Sequence, residues 1–345
     1  MRRLALLPAV VALALPGAAA AGTVSMTGEY VEGYKGSGGW EYDVRYAAEP
    51  GEPNALSVWR EPGAVVVVDD AGVAAGTGCE SRSATEAVCA PPRTQPGWIR
   101  VTAHLGDRDD RLAATTAVAA TGDDGDDRLE SPGGGLEGGP GDDVLVTPAG
   151  SGTGGPGDDR VVAGTARYDD RSEPVVVDLA AGTAVLGDEH DALVGVRDVV
   201  AGRGNDRVTG SAEANRIETG AGDDVVLGGA GDDWLDGQLG FDQLDGGDGD
   251  DVLWAGGYQD TAPNVVLGGA GGDDLHGSWG PDRLVGGTGR DHLAGDRGHD
   301  ETDARDGEAD FVGCRLSATN PHARVVADRL DLVRHCGPLE RDGVP

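Results

Sequence analysis

The feature that most constrains this chain is a nine-residue period of glycine and aspartate. One copy reads GGAGDDWLD at residues 228–236. It fits the template G-G-x-G-x-D-x-U-x, where U is a large aliphatic residue. The sixth position recurs every nine residues on both sides of a four-residue insertion around 258–263, at Asp206, Asn215, Asp224, Asp233, Asp242, Asp251, Asp273, Asp282, Asp291 and Asp300. A phase held this long predicts a solenoid of stacked coils.

An earlier series has a longer period. Asp127, Asp143 and Asp159 lie sixteen residues apart, with the aspartate-free stretches 131–137 and 147–153 between them. We interpret these stretches as short turns that close the opposite edge of each coil without holding a cation. A degenerate copy at 106–112 has Arg108 where the template has glycine, and we do not expect it to bind an ion.

Composition favours a repeat fold over an ordinary globule. The chain of 345 residues has 61 glycines, 4% aromatic residues and a formal net charge of −34. So few large side chains fit either a disordered acidic polymer or a solenoid, and the strict phase favours the solenoid. The charge would repel nucleic acid and anionic membranes and attract cations.

The N-terminus has the order of a secretory signal peptide, which we assign to residues 1–21. Arg2 and Arg3 precede an apolar stretch at 4–15 and a small-residue tail at 16–21. The stretch is short for a membrane span, and no later segment is apolar enough to be one. We therefore expect a secreted, extracellular protein, either free or associated with the cell surface, and both the general and the twin-arginine export routes stay open.

Four segments flank or interrupt the repeats. Residues 22–104 have β-type runs at 42–46, 56–59, 65–68 and 98–104, which predict a small all-β domain. The first repeat block spans 105–162, a β-rich connecting segment 163–200 and the main block 201–303. Residues 304–345 stop matching the template where Ala309 stands, and we expect a C-terminal cap there.

The four cysteines fit an oxidising compartment and lack the short spacing of a zinc site. Of the three possible pairings we expect the local one, Cys79 with Cys89 and Cys314 with Cys336. The second bridge would staple the cap.

The nonapeptides at about 122–162 and 201–303 resemble those of the RTX family, the hemolysin-type calcium-binding repeats. That resemblance implies an all-β fold, a right-handed parallel β-roll in which two nonapeptides make one coil. It also implies Ca2+ ions held in rows between turns one coil, or eighteen residues, apart. The aliphatic residue at position eight would fill the narrow core.

The resemblance assigns the metal ligands to the position-six carboxylates and to backbone carbonyls of the turns. Calcium prefers six to eight oxygen ligands, which two stacked turns can supply. The carboxylates are Asp127, Asp143, Asp159, Asp206, Asp224, Asp233, Asp242, Asp251, Asp273, Asp282, Asp291 and Asp300. The carbonyls lie near Gly141, Gly157, Gly204, Gly222, Gly231, Gly240, Gly249, Gly271, Gly280 and Gly289.

Stacking predicts which carboxylates share an edge. One edge should carry Asp206, Asp224 and Asp242 and continue through Asp282 and Asp300. The other should carry Asp233, Asp251, Asp273 and Asp291. Carboxylates one strand spacing apart, about 4.8 Å, repel by roughly 0.9 kcal/mol per pair even in water. We therefore expect the repeats to be largely disordered without Ca2+ and to fold when they bind it.

Three functions are compatible with the sequence, and the first is favoured. They are a non-catalytic, secreted calcium-binding protein with a structural or surface role, an adhesive module for cell-wall or extracellular polysaccharide that uses exposed tryptophans, and a polysaccharide-modifying enzyme. The chain has no H-E-x-x-H and no G-x-S-x-G, and by spacing its histidines form no metal-like or triad-like cluster. We therefore expect no enzymatic activity.

Overall fold

The computed structural model describes residues 22–31, 39–51, 53–91, 97–313, 324–334 and 339–341, and the regular structure in these ranges is all β-strand. The strands form a β-solenoid of about twelve turns. No helix in the described ranges is long and apolar enough to cross a membrane.

The N-terminal region is built from long, mostly antiparallel strands. They are β1 (Gly22–Val31), β2 (Gly39–Ala48), β3 (Ala55–Glu61), β4 (Ala64–Asp69), β5 (Val73–Ala75), β6 (Cys79–Ser81), β7 (Glu86–Cys89) and β8 (Gly97–His104). β1 pairs with β2, β3 with β4, and β7 with both β4 and β6, all antiparallel. A disulfide joins Cys79 to Cys89 across β6 and β7, as predicted.

The first repeat block and the connecting segment supply ten further strands. They are β9 (Arg111–Ala114), β10 (Ala119–Thr121), β11 (Arg128–Glu130), β12 (Gly135–Glu137), β13 (Val144–Thr153), β14 (Arg160–Arg167), β15 (Val176–Asp178), β16 (Thr183–Leu186), β17 (Glu189–Val194) and β18 (Asp198–Val200). In the connecting segment, which the sequence predicts to be β-rich, β15 and β16 pair antiparallel across the turn at 180–182. β17 adds a third strand beside β16 and returns the chain to the stack at β14.

Fifteen short strands complete the described solenoid. They are β19 (Arg207–Ser211), β20 (Arg216–Glu218), β21 (Val225–Ala230), β22 (Trp234–Asp236), β23 (Gln243–Asp248), β24 (Val252–Trp254), β25 (Val265–Ala270), β26 (Asp274–His276), β27 (Arg283–Thr288), β28 (His292–Ala294), β29 (Glu301–Ala304), β30 (Phe311–Gly313), β31 (Arg324–Ala327), β32 (Leu332–Arg334) and β33 (Leu339–Arg341). Each pairs in parallel with the strand two places along the chain, as β20 does with β22 and β21 with β23. Alternate strands therefore lie on opposite faces, and one coil takes two nonapeptides.

Two parallel sheets result. Sheet 1 begins at β2 and β8 and runs through β10, β12, β18 and the even-numbered strands to β32. Sheet 2 begins at β3 and β9 and runs through β11, β17, β16, β15 and the odd-numbered strands to β33. The long strands β13 and β14 contribute their first halves to sheet 2 and their second halves to sheet 1.

The core is a single file of aliphatic side chains between the sheets. In a three-residue strand only the middle residue points inward, because successive side chains alternate between faces. Every position-eight residue predicted from the template is at most 1% exposed. These residues are Leu129, Leu145, Val161, Val208, Val226, Leu235, Leu244, Leu253, Leu275, Leu284 and Leu293.

The C-terminal expectation needs a correction. The repeat does not end before Ala309, because β30, β31 and β32 continue both sheets. One extra residue shifts the slot from 309 to Asp310, which lies in line with Asp291. Cys314 and Cys336 lie outside the described residues.

Candidate metal centres

The position-six side chains form two columns, one along each edge of the roll, and one column is interrupted between Asp191 and Asp206, where the N–H of Val175 donates to Oδ1 of Asp206. In each column the backbone N–H of one residue donates to Oδ1 of its counterpart one coil further on, as Asp233 does to Asp251 at 2.7 Å. Edge A precedes the strands of sheet 2 and holds Asp110, Asp127, Asp143, Asp159 and Asp191, then Asp206, Asp224, Asp242, Asn264, Asp282 and Asp300. Edge B precedes the strands of sheet 1 and holds Asn215, Asp233, Asp251, Asp273, Asp291, Asp310 and Asp331.

The predicted assignment to edges is confirmed, and the columns contain five members that the template did not predict. Asn264 fills the place left by the insertion, which lengthens the step on edge A from eighteen residues to twenty-two. Asp310 and Asp331 extend edge B, because 19- and 21-residue steps replace the regular one. Asp191 extends the first series of edge A at one end. Asp110 extends it at the other end, so the degenerate copy at 106–112, which the sequence does not predict to bind an ion, belongs to the column despite Arg108.

In the first block, hydroxyl groups fill the opposite edge. Ser131 and Thr147 are buried in the seven-residue turns. The Ser131 hydroxyl accepts the N–H of Val118 at 3.0 Å and donates to the carbonyl of Gly133 at 2.6 Å. The hydroxyl group of Thr147 likewise donates to a backbone carbonyl, that of Gly134, at 3.2 Å.

The second oxygen of most column carboxylates is buried without a donor. Oδ2 has no hydrogen-bond partner in eleven of them, namely Asp110, Asp127, Asp143, Asp159, Asp224, Asp233, Asp242, Asp251, Asp273, Asp291 and Asp310. A buried charged oxygen without a partner is costly, by about 1–3 kcal/mol or more. A cation is the partner that such an oxygen lacks.

Three predicted ligands differ from this set. Oδ2 of Asp206 accepts the N–H of Gly202 at 3.1 Å, and Oδ2 of Asp282 accepts the N–H of Ser278 at 2.5 Å. Asp300 is buried but is not among the orphaned carboxylates. At the end of the first series, Oδ2 of Asp191 accepts a hydrogen bond from the hydroxyl group of Tyr168 at 3.0 Å. Both oxygens of this carboxylate therefore have protein partners.

Glycine makes the space around each orphaned oxygen. A methyl group at Gly246 would lie 2.6 Å from the carbonyl oxygen of Gly268, and it would also overlap Oδ2 of Asp251. The carboxylate of one coil and a carbonyl of the next therefore converge beside a residue without a side chain. Further carbonyls at the predicted fourth-position glycines point along the stack, as Gly231 does toward Gly249, where φ is +146°.

Burial and mutual repulsion raise the pKa of the column carboxylates. Burial comes first for Asp242, and together with repulsion from Asp224 and Asp260 it raises the pKa to about 8. The same causes raise the pKa of Asp159 to about 8 and that of Asp273 to about 7. The carboxylates are hard to ionise because they are buried among other oxygen acceptors. A cation bound beside them would supply the opposite charge that favours their ionised form.

The second acidic position, position five, has a different role. Asp223 and Asp232 at this position are exposed. Their carboxylates accept backbone N–H groups of the next coil, from Phe241 at 3.0 Å and from Asp250 at 3.1 Å. The position-five carboxylates thus link adjacent coils on the outer surface, whereas the position-six carboxylates face inward.

A scan against protein families matches the RTX calcium-binding nonapeptide repeat four times, at residues 200–235, 227–262, 267–301 and 276–308. The chain carries RTX repeats. RTX nonapeptides bind Ca2+, with several ions per repeat region, so the solenoid is a calcium-binding β-roll. No curated protein matches the chain.

The RTX matches cover the main block and leave the first series outside. Asp127, Asp143 and Asp159 nevertheless have the same orphaned Oδ2 and the same glycine contacts, at Gly122, Gly138 and Gly154. On geometry the first series is equivalent to the RTX repeats.

Proposed function

We propose that this is an exported protein whose β-roll folds on binding Ca2+ outside the cell and serves a non-catalytic structural or surface role. The observation that carries the proposal is the pair of columns of buried carboxylates whose Oδ2 atoms lack donors. Without a cation these columns oppose folding. Each bound Ca2+ ion would be coordinated by oxygens of two adjacent coils, so that the carboxylates would stabilise the stack.

The proposed ligands are the position-six carboxylates with orphaned Oδ2, together with carbonyls of the first-, second- and fourth-position turn residues. Their donor set is all oxygen, which suits Ca2+ and disfavours softer metals. Asp206, Asp282 and Asp300 are weaker candidates. Export is supported by the signal-like residues 1–21, which lie outside the described residues.

The domain boundaries are part of the proposal, with one qualification from strand pairing. Residues 22–104 form an all-β block, yet β2 and β8 continue directly into β10, and β3 into β9. We infer that this block starts the stack on which the repeats at 105–162 and 201–303 are laid.

Far-UV circular dichroism of residues 22–345 during a calcium titration tests the proposal, with Mg2+ as the control ion. We expect a calcium-selective gain of β signal that a chelator reverses. Sites in extracellular modules have dissociation constants of about 10⁻⁴–10⁻³ M, so the change should be complete by ~10 mM. A spectrum already ordered in chelator would refute calcium-driven folding.

A groove supports a second candidate function, the binding of polysaccharide. It encloses about 480 Å³ beside the four-residue insertion, and it is lined by Trp234, Asp236, Gln238, Leu239, Trp254, Gly256, Gly257, Tyr258 and Gln259. Aromatic faces and polar side chains in one concave site suit sugar rings, which stack on the former and hydrogen-bond to the latter. Tyr258 and Trp254 are 68% and 38% exposed.

Isothermal titration of calcium-loaded protein with neutral and acidic oligosaccharides tests this function. We expect Trp254→Ala to weaken binding at least tenfold, while Trp59→Ala, outside the groove, leaves it unchanged. Equal binding by both variants would exclude the groove.

A further inference from the structure

The outer face of sheet 1 carries a histidine cluster that the spacing of the histidines did not predict. Asp274, His276 and His292 lie on adjacent strands β26 and β28, and their three nearest ligand atoms are all within 4.8 Å of one another. Asp274 is directly across from His292 in the parallel register, and His276 follows two residues later on the same face. The inward neighbours Leu275 and Leu293 belong to the core, so the cluster points away from the calcium columns.

One carboxylate oxygen is shared by both rings. Oδ1 of Asp274 lies 3.1 Å from Nε2 of His276 and 2.6 Å from Nδ1 of His292. A tetrahedral zinc ion with ligand bonds of about 2.0–2.1 Å has its ligands roughly 3.3 Å apart. Both separations from Oδ1 of Asp274 are within about 0.7 Å of that spacing, and the side chain of His292 is 42% exposed.

Neighbouring aromatic rings hold both imidazoles in place. His276 stacks on Trp254 with ring centroids 3.9 Å apart and an interplanar angle of 8°. His292 packs on Phe311 at 4.9 Å and meets His276 edge-on at 6.0 Å. Because the rings are fixed on one side each, ordering them for a metal costs less conformational entropy.

We propose that Asp274, His276 and His292 bind one divalent transition-metal ion, of which Zn2+ is the type, independently of the Ca2+ bound by the columns. Two imidazole nitrogens and one carboxylate are a usual zinc donor set, whereas Ca2+ and Mg2+ prefer oxygen throughout. Three protein ligands leave a coordination position for water or for a group from a partner. Trp254, which lines the groove described above, stacks on one of these ligands, His276.

The experiment is a cobalt titration of the tag-free full chain in saturating CaCl2, followed by visible absorption. We expect one equivalent of Co2+ to give the intense d–d bands of a four-coordinate site, and ZnCl2 to abolish them. His276→Phe and His292→Phe keep ring contacts with Trp254 and Phe311 but remove the ligand nitrogens, and each should weaken binding at least tenfold. His190→Phe, on the exposed part of sheet 2, is the matched control and should bind as the native protein does.

Circular dichroism in calcium separates loss of the site from loss of the fold. A variant that keeps the native β signal and loses cobalt binding supports the site. Native-like cobalt affinity in folded His276→Phe or His292→Phe overturns the proposal, as does an equal loss in His190→Phe. Absence of the cobalt bands in calcium-loaded native protein overturns it as well and leaves the calcium-folding proposal untouched.

Discussion

At the scale of single residues, most position-six aspartates use their two oxygens differently. Oδ1 accepts the N–H of the preceding coil and fixes the register, while Oδ2 is buried without a hydrogen-bond donor. The first interaction needs no charge, because an amide oxygen serves equally well. Asn264 shows this, since its Oδ1 accepts the N–H of Asp242 at 2.8 Å.

Asp242→Asn should therefore have opposite effects without and with calcium. In chelator we expect a gain in stability of about 1–3 kcal/mol, because a buried carboxylate with a raised pKa is removed while the Oδ1 acceptor is kept. In saturating calcium we expect a loss of stability and a lower calcium stoichiometry. Circular dichroism in chelator, where the gain would appear as more β signal, and urea unfolding with isothermal titration in calcium provide the measurements.

Asp223→Asn is the matched control because its carboxylate is exposed and bonded through Oδ1 to the backbone of Phe241. It should change neither stoichiometry nor stability by more than about 0.5 kcal/mol. A loss of calcium in the control as large as in Asp242→Asn would contradict the assigned roles.

Gly246→Ala should damage one calcium site through steric overlap alone. Gly246 does not have a positive φ, so the added methyl group brings no backbone strain, but it would collide with Oδ2 of Asp251 and the carbonyl of Gly268. We expect about 1–3 kcal/mol of destabilisation in calcium. The measurement is the urea midpoint, and Gly257→Ala, where a methyl group meets nothing within 4 Å, is the control. Equal midpoints for the two variants would show that the glycine is not needed for space.

At the scale of strands and turns, the nine-residue period predicts the residues that follow it and misses those that insertions move out of phase. The eleven position-eight residues and the two edges follow directly from the template, because a strict step of nine fixes both face and coil. Asn264 and Asp310 are missed, since insertions of four residues and one residue move the slot. The histidine cluster is missed because His276 and His292 stand at positions nine and seven of different repeats, sixteen residues apart. Since one coil takes eighteen residues, the two side chains become diagonal neighbours on adjacent strands.

The N-terminal strands depend on a different source of stability, the disulfide between β6 and β7. Closing a loop of about ten residues contributes roughly 3 kcal/mol in the chain-entropy account. Replacing Cys79 and Cys89 together by Ala should lower the stability of this region by about that amount. The calcium stoichiometry should be unchanged, because the first column carboxylate, Asp110, lies outside the disulfide-linked strands.

Scanning calorimetry in calcium would measure the first effect and isothermal titration the second. Glu80→Gln, exposed on the same strand as Cys79, is the control. A reduced number of bound ions in the double variant would mean that the disulfide also supports the first coils.

At the scale of the whole molecule, the raised pKa values make the calcium-free roll sensitive to pH. Burial raises the pKa of the column aspartates above the value of about 3.9 in an unfolded chain, to about 6 in Asp233 and to about 8 in Asp300. The native state therefore binds more protons between these values. Its proton-linked stability is fully present below about pH 4 and is lost as the pH rises through 6 to 8.

In calcium-free buffer we therefore expect more β signal at pH 5 than at pH 8. With calcium the order reverses, because protons and Ca2+ compete for the same oxygens, and the calcium midpoint should rise as the pH falls from 8 to 6. Circular dichroism at several pH values, with and without calcium, measures both. A calcium-free signal that grows with rising pH would contradict the assigned cause.

The parallel pairing of β2 and β3 with the first coils has a consequence for how such a chain can vary in length. In the main block each coil pairs with the coil before it and the coil after it, and the regular step on both edges is eighteen residues. Whole units of eighteen residues can therefore be added or removed between the N-terminal block and the last strands without rewriting any interface. Each unit changes the reach of the molecule by one strand spacing, about 4.8 Å. With about twelve turns, the roll is about 60 Å long, and under the proposed calcium-driven folding this length would be fixed only when the ion is bound.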